Sequence, residues 1–74
     1  MNGWRWNELT KREKQVAMLA GRDNKDFTIA KELGISETRV AQYLTVIYRL
    51  LEVRGRVELA FLLGRHWEEI EKEK

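Results

Sequence analysis

The sequence contains no cysteine and no proline among its 74 residues. Without cysteine there is no disulfide bond and no thiolate metal ligand, so a domain this small must be stabilised by well-packed helices or by a partner subunit. Proline is missing, and no convincing run of alternating apolar residues lies between turn clusters, so nothing indicates β-strands. We therefore predict an all-α fold.

Signals for export or membrane insertion are missing as well. No apolar stretch approaches the roughly 20 residues of a membrane span, and no basic-then-apolar leader opens the sequence. We expect a cytoplasmic protein with no membrane partner.

Groups that carry catalysis are scarce. The single histidine, His66, has no cysteine or second histidine with which to share a metal, so we expect it to be a packed or surface side chain. The sequence shows neither a glycine-rich phosphate loop after a strand nor paired carboxylates at a plausible site spacing, and four small helices leave little room for a pocket. We predict that the protein is not an enzyme and binds no metal or cofactor.

The composition that is present fits one small domain with a mildly basic body. Hydrophobic residues make up 43% of the chain and include three tryptophans, which is enough for one core. Residues 1–56 hold 11 Lys/Arg against 7 Asp/Glu, a net +4, whereas residues 57–74 hold 3 against 5, a net −2. This distribution weakly favours an anionic partner.

The first predicted helix opens with a capping box. Thr10 and Glu13 stand three residues apart, as the reciprocal hydrogen bonds of that motif require. The helix should run over residues 11–20, with Gly21 placed to stop it.

Two further helices follow a loop of turn-forming residues, "GRDNKD". Asp26 is expected to cap a short second helix that ends at Gly34, and Ser36 to cap the third. The third helix carries a narrow apolar stripe at helical spacing, which predicts its buried face. The stripe consists of Val40, Leu44, Ile47 and Leu51, with Tyr43 and Leu50 along one edge.

A fourth helix, "VELAFLLGRHWEEIEK", should follow a break at "VRGR", where Gly55 adopts unusual backbone angles freely. This helix is apolar on two sides. One stripe consists of Val57, Ala60, Phe61 and Gly64, and the other of Leu59, Leu62, Leu63 and Ile70. Because one small domain cannot cover both stripes, we predict a homodimer through this helix. The first stripe is the predicted interface, and the alternative is that the second stripe forms it.

The second and third helices, with the short break between them, have the spacing of a helix-turn-helix. Ala30 allows the two helices to cross closely, and Gly34 supplies the positive φ of the turn. The apolar positions that lock the pair together are Ile29, Leu33, Ile35 and Val40.

Three segments carry a resemblance to a known family: "LTKREKQV", "IAKELGISETRV" and "LLEVRGRVELAFLL". Over residues 9–63 the chain resembles the LuxR/GerE-type helix-turn-helix of bacterial transcription regulators. The third segment separates it from the similar promoter-binding region of sigma factors. The resemblance implies a four-helix domain that places its third helix in the DNA major groove and often dimerises through its fourth. Phe27, Arg39, Ala41 and Tyr43 stand where the family commonly has Lys, Thr, Lys and His, which puts the usual target sequence in doubt.

The outer face of the third helix has almost no charge in its first three turns, which suits base reading better than phosphate contact. We predict base-reading roles for Thr38, Ala41, Gln42 and Thr45. The predicted contacts with the DNA backbone are Lys25, Arg39, Tyr43, Arg49, Arg54 and Arg56, with Lys11 and Arg12 as weaker candidates. The alternative interpretation of both sets is an ordinary solvated surface.

Residues 1–8 form a separate tryptophan-containing arm in this interpretation, and residues 9–74 form the single helix-turn-helix domain. Trp4 and Trp6 are expected to fold back over the first and fourth helices, with a minor-groove arm or a partner site as the alternative. No receiver or sensing domain precedes the motif in this sequence, so we expect a stand-alone regulator of double-stranded DNA that binds an inverted repeat. The alternative function is an interaction module, or a sigma-region-like promoter binder, that contacts RNA polymerase or another regulator and binds DNA weakly.

Overall fold

The computed structural model describes residues 4–22 and 24–72, and these residues form helices joined by short loops. A 3₁₀ turn, Trp6–Glu8, precedes five α-helices: α1 (Lys11–Gly21), α2 (Asp26–Leu33), α3 (Glu37–Leu51), α4 (Arg56–Arg65) and α5 (Trp67–Glu71). Helix α1 packs against α2, α3 and α4, and α2 packs against α3. The predicted all-α class is confirmed.

The capping box of α1 forms as predicted. The Thr10 hydroxyl accepts from the Glu13 amide at 3.1 Å, and the Glu13 carboxylate accepts from the Thr10 amide at 2.8 Å. Gly21, however, is the last residue of the helix, which is capped at Arg22. A Cβ at Gly21 would lie 2.5 Å from Leu63 Cδ1, so the glycine serves the close approach of α4 to α1.

The helix-turn-helix has the predicted turn but a different cap at its start. Gly34 has φ +70°, and the Ile35 amide donates to the Ala30 carbonyl at 3.0 Å, which closes the end of α2. Ser36 caps α3 by accepting from the Arg39 amide at 3.0 Å. The prediction for Asp26 is wrong: the N-cap of α2 is Lys25, without a side-chain cap bond. Asp26 instead lies in the first turn and forms an ion pair with Arg56.

The core lies between α1, α3 and α4. The predicted stripe of α3 is buried, and Ile29 and Ala30 of α2 are buried with it. Leu33 and Ile35 are half-buried against the same core. The packing predicted for the helix-turn-helix pair is therefore present.

The end of α3 differs from the prediction. The residue in the left-handed region is Glu52, with φ 58°, whereas Gly55 is extended, with φ 179°. The Val53 amide donates to the Tyr48 carbonyl at 3.0 Å and the Glu52 amide to the Arg49 carbonyl at 3.3 Å, a Schellman arrangement. Glycine is the usual residue in the left-handed region at the end of a helix. The prediction therefore assigned the end of α3 to Gly55, three residues beyond Glu52, where it lies.

The predicted fourth helix is two helices, because the chain breaks at His66 between α4 and α5. Gly64 weakens the helix just before the break. The His66 ring stacks on the Trp4 ring, with centroids 3.9 Å apart, and the His66 amide donates to the Leu62 and Leu63 carbonyls. The stacking joins residues that are 62 positions apart, so periodicity in the sequence could not indicate it.

Candidate nucleic-acid interface

The four predicted base-reading residues share one exposed face of α3. Thr38, Ala41, Gln42 and Thr45 are exposed, while Val40, Leu44 and Ile47 of the same helix are buried. The four follow one another at intervals of three, one and three residues, so they span about 10 Å along the helix axis. An α-helix with its side chains is about 10–12 Å in diameter and fits a major groove about 12 Å wide, so this exposed face can lie against base edges.

The polar groups on this face differ in what they can offer a base. The Thr45 hydroxyl donates to the Ala41 carbonyl at 3.0 Å, so its proton is used within the helix and its methyl group remains for apolar contact. The side-chain carboxamide of Gln42 makes no hydrogen bond within residues 4–22 and 24–72, so both its NH₂ donor and its oxygen acceptor are available. Gln42 is therefore the side chain on this face best able to make a paired hydrogen bond with an adenine edge.

Two arginines lie beside this face. The Arg39 guanidinium lies over the Tyr43 ring, 5.8 Å from its centroid, and Tyr43 packs against the core. The contact holds the guanidinium near the start of α3. Arg49 is exposed in the last turn of the same helix. The candidate backbone contacts on α3 thus flank the base-reading face along the helix.

Lys25 and Arg54 contribute from outside α3. Lys25 is the exposed N-cap of α2, and Arg54 is exposed in the loop between α3 and α4. The Arg54 amide donates to the Glu58 carboxylate at 2.7 Å, which ties the loop to the first turn of α4. The Arg54 side chain has no ion pair within the described part of the chain.

Arg56 is placed differently from the other predicted backbone contacts. Its side chain is only 31% exposed, its Nε donates to the Asn24 carbonyl at 3.1 Å, and its Nη2 forms an ion pair with the Asp26 carboxylate. Burial raises the pKa of the neighbouring Tyr48 phenol. The charge of Arg56 acts to lower this pKa and the charge of Asp26 acts to raise it, both less strongly than burial. The guanidinium thus has two partners inside the protein.

Sequence reasoning missed this pairing because Arg56 lies 30 residues beyond Asp26. No helical or turn spacing links the two positions. The basic turn at residues 54–56 suggested phosphate contact for Arg54 and Arg56 equally. In the structure Arg54 is exposed, whereas Arg56 is half-buried.

The two apolar stripes of the predicted fourth helix have different surroundings. Leu59, Leu63 and Ile70 are buried and Leu62 is half-buried, so this stripe belongs to the core. The predicted interface residues are all exposed: Val57 (85%), Phe61 (73%), Ala60 and Gly64. An apolar face of this kind on α4 is consistent with burial by a second subunit.

The tryptophan arm packs over α1 and the end of α4, as expected. Trp6 is 2% exposed and belongs to the core. Trp4 stacks between Trp6 and His66, with ring centroids 5.5 and 3.9 Å away. His66 also contacts the Glu69 carboxylate at 2.7 Å, so of the two placements predicted from the sequence, packed or surface, the structure has the packed one.

Phe27 is an exposed aromatic residue for which no contact was predicted from the sequence. Phe27, in the first turn of α2, is 61% exposed, and the Lys31 ammonium lies 6.0 Å from its ring centroid. The sequence signal was the substitution of an aromatic residue where lysine is common in the resembled family.

Two other kinds of site are absent from the described part of the chain. Among residues 4–22 and 24–72, no group of three or more His, Asp or Glu side chains could hold a metal ion. No helix in that part of the chain is long and apolar enough to cross a membrane.

Comparison with known proteins points to one group. Residues 7–63 match the family described as bacterial regulatory proteins, luxR family. The chain is 34% identical to the two-component response regulator PprB of Pseudomonas aeruginosa over 59 residues. The matched segment covers 80% of this chain and 22% of PprB. The chain is 40% identical to the transcriptional regulatory protein DesR of Bacillus subtilis over 52 residues. That matched segment covers 70% of this chain and 26% of DesR. The chain thus spans about a quarter of the length of these relatives.

Proposed function

The chain belongs to the luxR family of bacterial regulatory proteins, and from this we propose that it is a sequence-specific double-stranded DNA-binding transcriptional regulator that acts as a homodimer. The names of PprB and DesR describe regulators, which supports the regulatory part of the proposal. The proposed function consists of binding and includes no catalytic step. Because bacterial DNA is cytoplasmic, the proposal places the protein there.

The observation that carries the proposal is the exposed, nearly uncharged face of α3. Its first three turns present Thr38, Ala41, Gln42 and Thr45 on the side opposite the core. In the proposed complex this face enters the major groove. Gln42 pairs with an adenine, and the methyl groups of Ala41 and Thr45 contact thymine methyl groups.

Affinity in this proposal comes from cations around that face. Lys25, Arg39, Arg49 and Arg54 are exposed and positioned on α2, α3 and the following loop. Contacts between these side chains and phosphates fix the orientation of α3 but carry no sequence information directly. They also release counterions, so four such contacts per protomer in a dimer predict a slope of log K against log salt of roughly −7.

The dimer is proposed to form through the exposed apolar face of α4. Phe61 and Val57 are its largest apolar side chains, and both are more exposed than a monomer surface would favour. A two-fold dimer requires an inverted repeat with half-sites about one helical turn apart.

A second candidate function is a protein-interaction module with weak DNA binding, directed at RNA polymerase or another regulator. The observation in its favour is Phe27, which exposes an aromatic ring at the start of α2. Exposed aromatic side chains are enriched at protein interfaces, and a ring contributes no charge for phosphate contact.

Selection of binding sites from a random duplex library tests the proposal against this alternative. The expected result is an enriched palindrome, bound with a steep loss of affinity as salt increases. A folded protein that enriches no sequence would reject the proposed reader. Binding to RNA polymerase with little salt dependence would then support the interaction module.

A further inference from the structure

Arg56 connects the start of α4 to the start of α2. Its Nε donates to the carbonyl of Asn24 at 3.1 Å, and its Nη2 pairs with the carboxylate of Asp26. Asn24 and Asp26 lie on either side of Lys25, the N-cap of α2. One guanidinium therefore holds the loop residue just before the N-cap of α2 and the first residue of the helix itself.

The same segment is held from the other side by α1. Asn24 donates to the Leu19 carbonyl from its side-chain Nδ2 at 2.7 Å and from its amide at 3.3 Å. The N-cap of α2 makes no side-chain cap bond of its own. The position of the first turn of α2 thus depends on bonds from α1 and from Arg56.

The pair between Arg56 and Asp26 is partly shielded from water. Their side chains are 31% and 35% exposed, and Tyr48 from α3 lies close enough for both charges to act on its phenol. Partial burial strengthens an ion pair relative to one on an open surface, where solvent screens the charges. Asp26 competes with any phosphate for the same guanidinium.

We propose that Arg56 is a positioning residue: it holds the start of α2 through Asp26 and Asn24, and it does not contact phosphate. This inference rests on the proposed DNA binding and revises one of the predicted backbone contacts. In a docked helix-turn-helix, the first helix of the motif crosses the DNA backbone. The position of Lys25 and of the first turn of α2 relative to α3 then determines the strength of the phosphate contacts. A change in that position affects the affinity for every DNA sequence equally.

The two possible roles of Arg56 predict opposite effects of removing Asp26. If Arg56 bound phosphate, Asp26→Ala would free the guanidinium and remove a negative charge near DNA, so affinity would rise. If Arg56 positions α2, the same variant loses the partner that holds the helix, and affinity falls despite the more favourable charge.

The experiment compares Asp26→Ala, Arg56→Ala and their double variant by titration of the selected duplex at several salt concentrations. Glu32→Ala is the matched control, since Glu32 is exposed on α2 and also carries one negative charge. We expect Asp26→Ala to bind roughly 3- to 30-fold more weakly than the control, with an unchanged salt slope. The double variant should bind no more weakly than Arg56→Ala, and Asp26→Asn, which keeps an acceptor oxygen, should recover part of the loss.

Affinity of Asp26→Ala equal to or above that of Glu32→Ala would overturn the inference. So would a salt slope that becomes shallower in Arg56→Ala, because that is the mark of a lost phosphate contact. Circular dichroism melting checks that each variant folds. If Arg56→Ala does not fold, the comparison of Asp26→Ala, Asp26→Asn and Glu32→Ala decides the question alone.

Hydrogen exchange without DNA separates failure of this inference from failure of the proposed function. The Ile29 amide donates to the Lys25 carbonyl at 3.0 Å in the first turn of α2. Its exchange should accelerate in Asp26→Ala and Arg56→Ala but not in Glu32→Ala. If the wild-type protein binds no duplex, the proposed function is rejected, and this measurement still decides whether Arg56 holds α2. Unchanged exchange in both variants would reject the positioning role.

Discussion

Truncation of Phe61 should dissociate the proposed dimer while leaving the protomer folded. Phe61 is 73% exposed, so most of its ring remains available for burial by a second subunit. Full burial of a phenylalanine side chain contributes about 1.5–3 kcal/mol, and a two-fold interface buries both copies. Phe61→Ala should therefore cost the dimer roughly 2–4 kcal/mol, on the order of a 30- to 700-fold rise in its dissociation constant.

The same ring makes little difference to the isolated protomer, because about a quarter of its surface is buried there. We expect Phe61→Ala to change protomer stability by less than roughly 1 kcal/mol. Leu59→Ala, at a fully buried position two residues earlier, should cost about 2–5 kcal/mol. Two positions of α4 that are two residues apart thus separate the effect on association from the effect on folding.

Sedimentation over a range of protein concentrations measures the dissociation constant, and urea denaturation at the lowest concentration measures protomer stability. Phe27→Ala is the matched control, since it removes a similarly exposed ring from α2 and should leave the dimer unchanged. Phe61→Glu should act more strongly than Phe61→Ala, because it also places an unpaired charge in an apolar contact. A Phe61→Glu protein that sediments as a dimer would show that the interface lies elsewhere.

Substitutions of five other side chains have predicted effects on binding or stability. Gln42→Ala should cost about 1–3 kcal/mol of binding free energy on the selected site and relax the preference at one base pair. Arg54→Ala should weaken binding to all sequences alike and make the salt slope shallower by about 1 per protomer. An equal loss of affinity for all sequences in Gln42→Ala would reject its base-reading role. Trp6→Ala should lower unfolding free energy by roughly 3–5 kcal/mol, since the ring is 2% exposed; lost DNA affinity with an unchanged urea midpoint would instead place the arm on DNA. Burial raises the pKa of the Tyr48 phenol above its ordinary 10.0, so its contribution to stability is fully present below pH 10 and is lost as pH rises through the pKa of the folded state. Above pH 10, Tyr48→Phe should therefore lose less stability than the wild type. An equal loss for both proteins in alkaline melting curves would contradict this. Glu52→Gly should raise unfolding free energy by roughly 0.5–1 kcal/mol because glycine adopts the observed φ of 58° without strain, and a lower melting temperature would refute that account.

Much of the helix-turn-helix could be predicted because its determinants lie close together in the chain. The turn at Gly34 and the caps at Thr10 and Ser36 depend on partners within a few residues. The division of α3 into a buried and an exposed face follows from helical periodicity, which also brought the four candidate base-reading residues to one face. The prediction for Asp26 failed at this same local level, because a capping residue and a first-turn residue look alike in sequence.

Capping and helical periodicity act over at most a few turns of chain, so the helical class, the helix-turn-helix and the exposed face of α3 follow from local sequence. Tertiary structure alone decided which stripe of α4 is buried, since a helix apolar on two sides does not specify which side its own domain covers. It likewise decided that α4 ends at His66, where Trp4 stacks, and that Arg56 holds the start of α2. These outcomes depend on contacts between residues 30 or more positions apart, and such pairings are set by how the helices pack together, which local spacing does not encode.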